Sequence, residues 1–146
     1  MQAIEKIKKE HEQIEQYLKE IEVIMKTNPI NYPNLIHTCK EYKSLWDFHE
    51  EKEMKIFKIL SESDFSIPIQ KIDFEHGELK KHHEAITSAI NSGSEYKIKE
   101  ALEDDGKKLI EKLREHISFE DEFIYTVGLD LLKPETIKKL EEFGQE

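Results

Sequence analysis

Two histidines each stand four residues ahead of a glutamate inside an apolar helical stripe: His49 with Glu53, and His116 with Glu120. Residues four apart on a helix lie one above the other, so each pair aims an imidazole and a carboxylate at one point. Stripe positions face a packing partner, and a carboxylate buried there unpaired costs several kcal/mol. A chain with two such pairs must fold so that they meet each other, or meet something that neutralises them. Helix-on-helix packing is the arrangement that does this.

The stripes run the length of the chain in steps of three and four, which is helical spacing. The first reads Ile4, Ile7, His11, Ile14, Leu18, Ile21 and Met25, and ends at Thr27-Asn28-Pro29, because proline disfavours helix in the residue before it. Tyr32-Pro33-Asn34 opens the second, with Leu35, Cys39, Tyr42, Trp46, His49, Glu53, Ile56 and Leu60 in register. Residues 61–68 read as a loop. The third helix, about 67–91, carries Ile69, Ile72, His76, Leu79, His83, Ile86 and Ile90. Asn91-Ser92-Gly93-Ser94 is a stop followed by an N-cap. The fourth helix, about 95–127, carries Leu102, Gly106, Leu109, Leu113, His116, Glu120, Phe123 and Val127. Gly106 in mid-helix costs about 1 kcal/mol against alanine, so a bend or restart is expected near Asp104-Asp105-Gly106. Gly128 ends that helix, and 134–143 makes a short terminal one with Ile137, Leu140 and Phe143 on one side. The expected architecture is all-α: an up-down-up-down four-helix bundle over about 2–127 plus the short C-terminal helix, forming a single domain over 1–146.

Composition agrees and excludes alternatives. Hydrophobic and charged residues each make up 37% of the 146, which suits amphipathic helices with solvated outer faces. A net charge of −10 argues against a nucleic-acid partner, which needs a basic face. No apolar run approaches the roughly 18 residues of a membrane span, so no membrane role is expected. Met1-Gln2-Ala3 runs straight into Ile4 and Ile7 and does not read as a secretory signal. The single cysteine, Cys39, cannot form an internal disulfide or a four-cysteine metal site. A reducing, cytoplasmic setting is expected.

The stripes are broken by polar residues. Of seven histidines, His11, His49, His76, His83 and His116 occupy seam positions, where random placement would put about two. Counting residues from the helix ends puts His11, His49, Glu53, His76, His116 and Glu120 in one layer, since each residue advances the helix by about 1.5 Å. Four imidazoles and two carboxylates at one level have no sensible role as packing, and a dinuclear metal centre neutralises them directly. Imidazole with carboxylate suits Fe, Zn, Mn or Ni, and two carboxylate-bridged irons fit the bundle best.

Glu10-His11, His49-Glu50-Glu51-Lys52-Glu53, Glu75-His76 and His116-Ile117-Ser118-Phe119-Glu120 together resemble the hemerythrin and HHE cation-binding family, over about residues 4–127. The resemblance implies a non-haem di-iron site with an oxo- or hydroxo-type bridge, which binds O2 or NO end-on at one iron. It makes His11, His49, His76 and His116 terminal ligands and Glu53 and Glu120 bridges. Oxygen-carrying hemerythrins have a second histidine four residues after the first in helix three, where this chain has Lys80. They also place an aspartate five residues after the helix-four histidine; Asp121 stands there, while Glu120 matches the HHE relatives and lies on the seam. One terminal ligand short, the site is expected to favour redox reaction with O2, peroxide or NO over stable oxygenation.

His83 lies about two turns, roughly 10 Å, beyond His76 and is too far to share one compact centre with it. With Tyr42 at the same level it is expected to line a cavity for a small ligand; a satisfied core pair fits the same spacing. Glu50 follows His49 off the seam and is expected beside the ligands or in solvent. Trp46, Phe48, Phe57, Phe119 and Phe123 are expected to wall the site, with His37 and His82 exposed.

The function expected from this reading is a di-iron protein that binds or senses O2 or NO, or handles iron under oxidative or nitrosative stress. The alternatives are a di-iron oxidoreductase consuming peroxide or NO, an iron donor in iron–sulfur cluster repair, and an iron sensor whose stability depends on its metal. The balance leans away from an enzyme. No catalytic residue is assigned, and no protein partner is legible.

Overall fold

The computed structural model describes residues 2–63 and 67–145, without the side chains of Val127 and Gly128. The expected stripe position of Val127 and the middle of the 61–68 loop therefore lie outside the described residues. All regular structure among the described residues is helical. Helices α1 (Gln2–Lys26), α2 (Tyr32–Ser61) and α3 (Ile69–Ser92) are the first three columns of an antiparallel bundle. The fourth column is composite: α4 (Glu95–Ala101), a π turn (Leu102–Gly106), α5 (Lys107–Phe119) and a second π segment (Glu120–Val127). A 3-10 turn (Gly128–Leu131) leads into α6 (Pro134–Gly144), which lies across α1 and α2.

Local chemistry sets the ends. The Asn31 side chain accepts a hydrogen bond from the Asn34 backbone N–H at 3.1 Å, with Pro33 in the first turn of α2. Gly93 closes α3 at φ 71°, a left-handed conformation that glycine adopts without strain. Ser94 then caps α4 through the Lys97 N–H. At the other end of the bundle Gly144 lies against α1, where a Cβ would come within 2.8 Å of the Ala3 nitrogen. The Lys6 ammonium donates to the Gly144 carbonyl at 2.8 Å.

The fourth column corrects the expected stripe. The anticipated break near Gly106 is a π turn, which keeps the column continuous instead of restarting it. In the second π segment hydrogen bonds reach five residues back, so the inward face shifts by one position. Ile124 and Tyr125 are buried, whereas Phe123, expected on the seam, is 51% exposed. Phe48 is likewise 59% exposed and walls nothing. The third helix begins at Ile69, two residues later than its spacing predicts.

Two apolar clusters fill the bundle. The upper contains Ile14, Leu18, Trp46, Leu79 and Leu113; the lower contains Ile4, Ile7, Ile56, Phe57, Ile72, Ile124 and Leu140. His11, between Ile7 and Ile14, and His76, between Ile72 and Leu79, fall in the interval between the clusters, whereas His83 lies between Leu79 and Ile86 of the upper one. No described helix is long and apolar enough to cross a membrane.

Candidate metal centre

Six side chains from four columns meet in that interval. Their donor atoms form two groups, His11/His49/Glu53/Glu120 and Glu53/His76/His116/Glu120, with one atom per residue lying within 4.8 Å of the others. Glu53 and Glu120 belong to both. His11 Nε2 stands 3.5 Å from Glu53 Oε2 and 3.5 Å from Glu120 Oε1. His49 Nε2 is 3.4 Å from Glu53, and His116 Nε2 is 3.3 Å from Glu120. The Nε2 atoms of His76 and His116 converge to 3.1 Å.

These atoms lack ordinary partners. His11 Nε2, His49 Nε2, Glu53 Oε1 and both Glu120 carboxylate oxygens are buried with no hydrogen bond among the described residues. Each orphaned group would cost about 1–3 kcal/mol, more if charged, and native interiors rarely tolerate one, let alone five in one layer. Converging nitrogens and oxygens that no hydrogen bond satisfies are what a cation requires. The donor set of imidazole and carboxylate therefore fits a metal ion in either group.

The far side of every ring is held. Glu10 Oε1 lies 2.9 Å from His49 Nδ1, and Asp121 Oδ1 lies 2.8 Å from His11 Nδ1. Glu75 hydrogen-bonds His116 Nδ1, and Glu50 stands 3.5 Å from His76 Nδ1. A carboxylate on Nδ1 fixes the ring's orientation and presents Nε2 as the ligand atom. Each of the four directly flanks a site residue of its own column, yet holds the histidine of another. The order runs from the first column to the second, second to third, third to fourth and fourth back to first. Lys52 reaches Glu10 at 2.5 Å and anchors one of them.

Tyr125 is also part of the site. Its hydroxyl donates to Glu53 Oε2 at 2.9 Å. The π segment puts it there, and the Thr126 hydroxyl donating to the Asp121 carbonyl five residues back marks that geometry.

Among the protein's own groups the charges are shared unequally. Burial and the neighbouring Glu53 charge push Glu120 well above the carboxylate range. Burial works the same way on Glu53, but the adjacent His11 and His49 rings outweigh it and hold Glu53 well below that range. Burial pulls His49 down, yet Glu10 and Glu53 lift it to about 9. His76, buried and facing His116, drops to about 4.

The remaining expected site residues separate. Asp121 contacts His11 and Glu50 contacts His76 of the layer. Tyr42 and His83 lie 2.6 Å apart in a hydrogen bond with each other, and Trp46 touches His83, His49 and His76. Lys80 points outward and pairs with Glu84 at 4.0 Å, leaving nothing in the position of a fifth histidine. Trp46, Glu50, Lys80 and His83 line a groove of about 580 Å³ between α2 and α3, beside His76, the least buried of the six. Cys39 is buried and His37 exposed, as expected. His82, expected in solvent, bonds Asp105 at 2.9 Å instead.

Glu10, Glu75 and Tyr125 are the site residues that stripe spacing passes over. The recurring Glu-His pairs at 10–11 and 75–76 carry the only sequence signal for the first two. The family model of the hemerythrin HHE cation-binding domain matches residues 2–127. Neither the curated proteins nor the solved structures gave a match.

Proposed function

Because this chain belongs to the hemerythrin HHE cation-binding domain family, we propose that its histidine–glutamate layer holds two iron ions and serves to bind or sense O2 or NO, or to handle iron under oxidative or nitrosative stress. In this reading His11 and His49 are the terminal ligands of one ion, and His76 and His116 those of the other. Glu53 and Glu120, common to both donor groups, bridge them. The observation that carries the reading is the set of five buried polar atoms left without partners in one layer. Carboxylate bridges between imidazole-bound ions inside a four-helix bundle favour iron over the other metals that this donor set accepts.

Bound iron would supply redox chemistry toward a small ligand. The chain's own residues prepare the site for it. The four flanking carboxylates hold the rings with Nε2 inward, and Tyr125 holds Oε2 of Glu53. The two apolar clusters exclude water from above and below. Lys80, turned outward, leaves the third column with one ligand. Cys39, buried and unpaired, fits a reducing, cytoplasmic setting. A second reading, iron sensing through stability, draws on the same buried carboxylates, since metal that satisfies them also stabilises the fold.

The test is metal content of the chain purified without a chelating tag, with absorption spectra before and after O2 and NO. About two irons per chain, with visible bands that shift on adding either gas, is the expected outcome. Zinc alone or no metal overturns the di-iron reading. Two irons whose spectra ignore both gases leave iron handling or sensing in place of ligand binding.

A further inference from the structure

The four carboxylate oxygens of the layer divide between its two donor groups. Glu53 Oε2 stands 3.5 Å from His11 Nε2 and 3.4 Å from His49 Nε2, while Glu53 Oε1 is 4.0 Å from His76 Nε2. Glu120 Oε1 is 3.5 Å from His11 Nε2, and its Oε2 is 3.3 Å from His116 Nε2. Each glutamate therefore turns one oxygen to either side. Three of the four oxygens are buried with no hydrogen bond among the described residues. The fourth, Glu53 Oε2, accepts the Tyr125 hydroxyl at 2.9 Å.

That bond depends on the backbone of the fourth column. In an uninterrupted α-helix, residues five apart point about 140° away from each other, so Glu120 and Tyr125 could not both face the layer. From Glu120 to Val127 the column is a π segment, whose hydrogen bonds join residues five apart and bring them onto one face. Both side chains are thereby buried, Glu120 at 0% and Tyr125 at 1% exposure. π turns of this kind recur at functional sites. The phenol ring is fixed by stacking on Phe57, with centroids 6.3 Å apart and planes 11° from parallel. A buried phenol held in this way aims its one proton at one oxygen.

We propose that Tyr125 is a positioning residue that keeps Glu53 shared between the two donor groups, a role that rests on the two-ion reading above. A carboxylate can bind an ion through one oxygen or turn both onto it. Turning both oxygens of Glu53 toward His76 and His116 would draw Oε2 away from His11 and His49 and break its bond to Tyr125. The phenol thus keeps Oε2 on the His11–His49 side and leaves Oε1 for the other. Without that bond Glu53 is free to close both oxygens on the ion bound first, and the second ion finds one donor missing.

The experiment titrates zinc(II), redox-inert and accepted by this donor set, into the full chain against a chromophoric chelator, resolving the first ion bound from the second. Tyr125→Phe keeps the stacked, buried ring and removes only the hydroxyl. The parent chain is expected to take up about two zinc ions, and Tyr125→Phe to show an unchanged first step and a second step weakened about 10–100-fold. Phe57→Leu is the packing control. It disturbs the same stack without touching Glu53, so it should lower the thermal midpoint and leave the ratio of the two steps as in the parent. Equal affinities in Tyr125→Phe and the parent overturn the proposal, as does an equal loss at both steps, or a Phe57→Leu chain that weakens the second step as much. If Tyr125→Phe loses its helical signal, Tyr125→Met, which fills the space without a donor, carries the same expectation. A parent chain that binds no more than one zinc overturns the two-ion reading, and this proposal with it.

Discussion

Four carboxylates stand behind four imidazoles, and their contribution is to aim rings rather than to bind. Glu10→Gln and Glu75→Gln keep size and burial but lose the charge that holds His49 and His116. Each is expected to lower metal affinity by about 10–100-fold with helicity intact, as read by competition against a chelator of known affinity. On the proposed assignment His49→Ala or Glu120→Ala removes a ligand itself, and neither variant should hold two metals per chain; full metal content in both would refute that assignment. The metal-free protein also carries a pH signature. His49, lifted to about 9, contributes stability that is complete below its unfolded value near 6.5 and is lost as pH rises through 9. His76, pushed to about 4, acts oppositely: the unfolded state takes up its proton first, so stability falls as pH drops from 6.5 toward 4. The melting temperature of stripped protein should therefore peak near pH 6–7, and metal, by replacing those protons, should flatten the alkaline side. The six site residues were legible because they sit on stripes at matching heights. Glu10 and Glu75 lie one position off the stripe, where spacing alone assigns solvent, and only a neighbouring column gives them a partner.

At the scale of elements, the second π segment decides which face of the fourth column is inside. Phe123→Ala should be nearly neutral, while Ile124→Ala should cost about 2–5 kcal/mol in chemical denaturation, the reverse of what an uninterrupted α-stripe requires. Comparable costs at both positions would put the register in question. Gly144→Ala tests the docking of α6: a Cβ 2.8 Å from backbone cannot be absorbed by rotating a side chain, so a loss of about 1–3 kcal/mol is expected. The columns themselves were readable, because proline, glycine and capping residues punctuate an unbroken three-and-four spacing. The phase change at Glu120 was not. A π segment adds one residue without altering the apolar content, so Phe123 and Tyr125 are equally plausible inward residues until the backbone is seen.

At the scale of the whole molecule, the polar layer lies between two apolar clusters of the core. A metal that binds only the folded state stabilises it by mass action, so loading should raise the melting temperature by roughly 10 °C and a chelator should reverse the gain. An unchanged midpoint would mean that the layer tolerates its buried carboxylates unaided. Both donor groups include Glu120, and the ring of supporting carboxylates closes only when Asp121 reaches His11. A chain still leaving the ribosome can expose three of the four histidines and yet lack a residue that either donor group needs. Metal capture by this layer would thereby wait until the fourth column is made, and a product truncated before Glu120 would lack a residue of both donor groups.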